Sequence, residues 1–193
     1  MMSCKPLRIA QGTTYTQVFR WGVEPLVYKP VSAMVSLTPL TLTATAHGLP
    51  ANWSVAFANL GFDELKADEW PPDADDFYEA TTVDVDTVSF NEIDAGRLTG
   101  TYAAGASLVY MTPAPLAGAT ASFTVYDASG TLVLTVAAVL DDTAKTISVT
   151  ISDTQTAALD VGSYTYALTA TDSGGIVTLL GTGDIDLFKL GAE

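Results

Sequence analysis

Apolar and polar positions alternate with a period of two along almost the whole chain, and this pattern predicts strands rather than helices. Ile147, Val149 and Ile151 alternate with Thr146, Ser148, Thr150 and Ser152, as expected of a half-buried strand. Tyr164, Tyr166, Leu168 and Ala170 alternate in the same way with Thr165, Ala167 and Thr169, and the β-branched and aromatic content suits a pleated surface. Turn-forming clusters separate the runs at Asp127-Ala-Ser-Gly130, Asp141-Asp142, Asp160-Val-Gly162 and Asp172-Ser-Gly-Gly175. The last two strands are expected at Ile176–Leu180 and Asp184–Phe188, with Gly181 and Gly183 marking a bulge or bend between them.

One short helix interrupts the strands. Ser152 and Gln155 have the spacing of a capping box, which predicts a single helical turn through Leu159, ended by Asp160 and Gly162. A helix this short is not stable alone and must dock against the strands.

The strand pattern is split along the chain. Residues 9–21 (IAQGTTYTQVFRW) read as an opening strand pair in which Tyr15, Phe19 and Trp21 share a face with Gln17. The core there must offer Gln17 a polar partner or leave it at an edge, and Trp21 reads as a core residue. The matching strands begin only near residue 115, with LAGATASFTVYDASGTLVLTVAAVL. Between them lies a block punctuated by Pro25, Pro30, Pro39 and Pro50 at its start and by Pro113 and Pro115 at its end. Strands are expected there at 40–45, 53–57 and 108–111, with a hairpin of 80–85 and 87–90 joined at Asp86. Five or six short strands in so short a block predict a small barrel or rolled sheet. A long loop, residues 61–78, is rich in Asp, Glu and Pro and contains Trp70.

Charge narrows the function classes. The 193 residues carry 8 Lys+Arg against 22 Asp+Glu, a formal net charge of −14. Such a surface is repelled by phosphate backbones and acidic membranes, so neither nucleic acid nor membrane is an expected partner. Residues 26–113 hold 12 acidic and 3 basic side chains, so this block carries −9 of the total. No apolar run reaches the roughly 18–20 residues of a membrane span, and the start lacks a signal-peptide pattern, which points to synthesis in a cytosol. The single cysteine, Cys4, excludes an internal disulfide and reads as a thiol without a role.

Enzymatic chemistry finds little purchase. His47 is the only histidine and sits in a turn with Gly48, Leu49 and Pro50. Asp75 and Asp76 are adjacent acids, but nothing fixes the separation that glycoside hydrolysis needs. Asp63, Glu64, Asp68, Glu69, Asp73, Asp75 and Asp76 make calcium the metal to consider, yet they lack the order of an EF-hand loop. Asn52-Trp-Ser54 matches the glycosylation triplet, which carries no meaning without secretion. There is no Gly-rich phosphate loop. Neither a cofactor, a metal nor catalysis is expected.

The opening IAQGTTYTQVFRW and the later TASFTVYDASGTLVLTV and KTISVTISDTQTAALDVGSYTYALTATDSGGIVTLLGTGDIDL resemble an immunoglobulin-like β-sandwich of tailed-bacteriophage virion proteins. In that family an "ISAEQTAAL"-type connection precedes a closing "GSYVYDLELTDPDG" hairpin. Residues 26–112, with TATAHGLPANWSVAF and ATTVDVDTVSFNEIDA, are similar to an insert in some of these proteins, itself similar to a small β-domain of ubiquitin-activating enzymes. There an "HGL" turn with a structural role follows the first strand. The resemblance implies an all-β chain in which 1–25 and 113–193 form the sandwich and 26–112 a small barrel-like domain. It implies no ubiquitin chemistry. It further implies a non-enzymatic virion component of the tail, baseplate or fibre attachment, acting through contacts with other virion proteins and as a homo-oligomer in the particle. Head decoration, a head fibre or a carbohydrate-binding module are the alternatives. Trp70 and Phe77, with Trp53 close by, are the candidate interface anchors, because aromatics supply much of the energy of interfaces.

Overall fold

The computed structural model describes residues 6–191, so Cys4 lies outside the described residues. The chain opens with β1 (Leu7–Ala10) and β2 (Tyr15–Phe19). Seven central strands follow: β3 (Gly22–Pro30), β4 (Ala33–Leu37), β5 (Leu40–Thr43), β6 (Trp53–Ala58), β7 (Tyr78–Thr82), β8 (Thr87–Phe90) and β9 (Ser107–Pro113). The closing part holds β10 (Thr120–Tyr126), β11 (Leu132–Asp141), β12 (Thr146–Ile151), the helix α1 (Asp153–Ala157), β13 (Gly162–Thr171) and β14 (Val177–Phe188). The fold is all-β, and the chain divides into two compact units: the residues up to Trp21 with those from Pro115 onward, and Gly22–Ala114.

The first unit is a β-sandwich built on a sheet of order β1-β14-β13-β10-β11-β12-β2. β1 and β2 occupy opposite ends of that order, yet only Gln11–Thr14 join them. Six strand spacings of about 4.8 Å cannot be bridged by so short a link, so the sheet must fold over on itself. β11 makes the turn. Its Leu132–Ala138 stretch pairs with β10, while Val139–Asp141 pairs with β12. The alternation read from the sequence now has its cause, because Ile147, Val149, Ile151, Tyr166, Leu168 and Ala170 are buried and meet Phe123 and Phe19 in one core. Burying each large side chain contributes about 1.5–3 kcal/mol. Phe123 and Tyr166 stack with ring centroids 4.8 Å apart.

Several local expectations are met. Ser152 accepts from the Gln155 amide at 3.2 Å while Gln155 accepts from the Ser152 amide at 2.9 Å, closing the capping box. The helix docks through Thr156, whose hydroxyl donates to the Thr13 carbonyl at 2.8 Å. Gln17 has its polar partner in the Tyr15 hydroxyl at 3.0 Å, and Trp21 packs partly buried against the core. The closing pair of strands is instead one continuous strand, β14, in which a bulge opposite Leu168 and Thr169 absorbs the irregularity near Gly181.

The second unit is a sheet of order β3-β9-β6-β7-β8-β5-β4, rolled nearly into a barrel. The strands at its two ends, β3 and β4, are joined only by Val31 and Ser32. The Val31 amide donates to Ala106 at 2.9 Å beside one end of the sheet, and the Ser32 amide donates to Thr43 at 2.8 Å on the other. The two ends therefore meet at this link. Leu40, Leu42, Trp53, Val55, Phe57, Phe90, Leu108 and Tyr110 fill the interior. The unit starts at Gly22 rather than at residue 26, because β3 runs through Pro25. Glu24 and Pro25 fall in a register break between Val23 and Leu26, one of the places where a strand tolerates a missing amide donor.

Candidate functional site

The long loop 61–78 is tied down at its base. The Thr101 amide donates to Gly61 at 3.1 Å, the Ala103 amide to Leu60 at 3.0 Å and the Asp63 amide to Thr99 at 3.0 Å. The Glu64 carboxylate accepts from the Thr99 amide through both oxygens at 3.0 Å. Its own backbone amide and that of Thr99 hold the Glu64 carboxyl below the usual range. Two short 3-10 turns, Asp63–Leu65 and Ala74–Asp76, carry the chain across, and the Asp76 carboxylate caps the second by accepting from the Asp73 amide at 2.8 Å. The Glu64 and Asp76 carboxylates are thus spent on backbone amides. Among the described residues no three His, Cys, Asp or Glu side chains converge to hold a metal.

This tethering opens a cleft of about 370 Å³ between the loop and the end of β6. Its floor is apolar, made by the buried Phe57, Leu60, Phe62 and Leu65. Its rim is polar and exposed, with Asn59, Asp63 and Lys66, and Trp70 forms one wall. Trp70 is 50% exposed, and its ring lies 6.1 Å from that of Tyr28, tilted by 33°. Tyr28, on β3, is 54% exposed and lies outside the cleft lining, so both rings are partly open to water.

The three aromatic anchors expected from sequence separate. Trp70 is exposed at the cleft and Phe77 is half-buried. Trp53 is a core residue, 3% exposed, whose indole Nε1 donates to the Met111 carbonyl at 3.1 Å. It opens β6 opposite Ala80, which turns its ring into the barrel, so it has no surface to offer a partner. Tyr28 was not singled out by its sequence. Its strand is broken by proline, and nothing local links it to a tryptophan more than forty residues away.

His47 closes the turn between β5 and β6. It is buried, its Nδ1 accepts from the Leu49 amide at 3.0 Å, and Nε2 lies 2.8 Å from the Asp84 carbonyl. A carbonyl can only accept, so the proton sits on Nε2. The His47 carbonyl accepts in turn from the buried Tyr110 hydroxyl, whose pKa is raised by burial. Neither ring nitrogen is left to take a proton from a substrate. The hairpin that His47 grips is shorter than its valines suggest. β7 ends at Thr82, and Val83 and Val85 are exposed in a turn held by the Asp84 carboxylate on the Asp86 amide at 2.8 Å.

Comparison of the chain with known protein families, with curated proteins and with solved structures finds no match. No helix among the described residues is long and apolar enough to cross a membrane.

Proposed function

We propose that the protein is a non-enzymatic structural component of a bacteriophage virion, placed at the tail, baseplate or fibre attachment. The motifs quoted above support this reading, and so does the arrangement of the first unit, which fits an immunoglobulin-like sandwich. In such sandwiches a tyrosine near the start of the penultimate strand bonds back to the backbone a few residues upstream. Tyr164 does this: its hydroxyl donates to the Asp160 carbonyl at 2.6 Å, immediately after the short helix. That bond is the observation that carries the fold-level part of the reading. The virion assignment itself draws on the resemblance.

The proposed mechanism is repetition of modest contacts. Sheet ends and loops of each copy meet neighbouring subunits, and symmetry multiplies every contact. The second unit, threaded into the sandwich along the chain, supplies a different surface without a second gene product. Mass spectrometry of purified phage particles tests the reading. The chain should be present at a copy number set by tail symmetry; hundreds of copies would place it on the head, and absence would refute it.

A further inference from the structure

Trp70, named above as a candidate interface anchor, also walls this cleft, but the inference drawn from the cleft does not rest on the assembly reading. We propose that it binds a neutral pyranose sugar, with the sugar ring laid against Trp70 and its hydroxyls on Asn59, Asp63 and Lys66.

Four observations carry this. A tryptophan 50% exposed beside a tyrosine 54% exposed is a costly way to face water, and the C–H face of a pyranose covers such a surface while leaving its hydroxyls at the edges. The cleft, about 370 Å³, lies at the lower end of small-molecule sites, which span roughly 300–1,000 Å³. Its rim mixes an amide, a carboxylate and an ammonium within reach of one small molecule, the donors and acceptors that hydroxyls require. Lys66 and Asp63 stand 3.9 Å apart and well exposed, so turning either toward a ligand breaks a contact of little value.

Charge decides among ligands. Residues 26–113 carry a net −9, which disfavours phosphates, nucleotides and acidic sugars, and also a second copy of the same face. A protein partner needs roughly 800 Å² per side, whereas the feature here is a small concavity with an apolar floor.

The test is saturation-transfer NMR and tryptophan fluorescence on the full chain with maltose, cellobiose, lactose and N,N′-diacetylchitobiose. At least one should bind with a Kd on the order of millimolar. Trp70→Ala should weaken that binding about ten-fold or more, and Tyr28→Ala by less, with far-UV circular dichroism unchanged. Asp63→Ala, at an exposed position, gives a second reading should Trp70→Ala fail to fold, and it too should weaken binding several-fold. Binding by none of the four sugars, or binding indifferent to both Trp70 and Asp63, overturns the proposal. So does a Trp70→Ala variant that binds sugar normally but is lost from particles, because Trp70 is then a contact between subunits.

Discussion

Gly61 and Gly100 cross so closely that a Cβ on either would lie 2.1 Å from backbone, from the Thr101 carbonyl oxygen in one case and the Gly61 carbonyl oxygen in the other. Both have φ in the range that side chains avoid, +95° and +116°. This crossing holds the base of the loop that carries Trp70. Gly61→Ala and Gly100→Ala should each cost about 2–4 kcal/mol, since strain and backbone clash act together. Urea unfolding checks it, with Gly48→Ala as the reference, because open space surrounds that position and only its φ of +68° penalises a side chain.

A second relationship of this kind lies in the sandwich. Tyr166 lies across Gly183, and a Cβ there would come within 2.8 Å of the tyrosine ring. Gly183→Ala should displace the ring from its stack on Phe123 and cost about 1–3 kcal/mol. Near-ultraviolet circular dichroism should change with it, while the far-ultraviolet spectrum is retained.

Removing the Tyr164 hydroxyl isolates one hydrogen bond. Tyr164→Phe should cost about 1 kcal/mol in thermal or urea unfolding, because the ring stays packed and only the bond to Asp160 is lost. A change indistinguishable from zero would mean that this corner does not contribute to the fold.

The His47 turn predicts coupling. His47→Ala should cost about 2–4 kcal/mol, since it strands the Leu49 amide and the Asp84 carbonyl, whereas Tyr110→Phe should cost about 1 kcal/mol. Once the turn has loosened, the Tyr110 bond has lost its fixed acceptor, so the double variant should cost less than the two added together. Strict additivity would contradict a shared network.

Stability should fall at both ends of the pH scale. The carboxyls of Glu64, Asp84, Asp127 and Asp142 are held below their usual range, chiefly by backbone amides for the first two, by the Ser129 hydroxyl for Asp127 and by Lys145 for Asp142. A depressed carboxyl contributes stability above its unfolded pKa of about 4, and that contribution drains away as pH drops through the folded value. Burial raises Tyr15, Tyr78, Tyr110 and Tyr164. The unfolded chain then loses those protons first, so stability declines as pH climbs past about 10. Urea midpoints across pH should show a plateau between these limits, and an acid limb that stays flat would contradict the account.

Much of the sandwich was legible in the sequence, because its strands bury one face and expose the other, as Ile147 to Ile151 and Tyr166 to Ala170 do. The helix was legible because its cap is a local device of two side chains three residues apart. β3 was hidden by Pro25 and Pro30, which read as punctuation until a bulge and a strand end gave them places. The core position of Trp53 was not legible, because being near Trp70 in sequence says nothing of which way a strand turns its side chains. The cleft was hidden for a related reason, since its wall and its neighbouring ring, Trp70 and Tyr28, meet only once the barrel has rolled.

The assembly reading is tested most directly by a density map of the intact particle. The account predicts density for both units at symmetric positions on the tail or baseplate, with the ends of their sheets against neighbouring subunits. Particles that are complete without this chain, or that fail to retain it, would contradict the central claim.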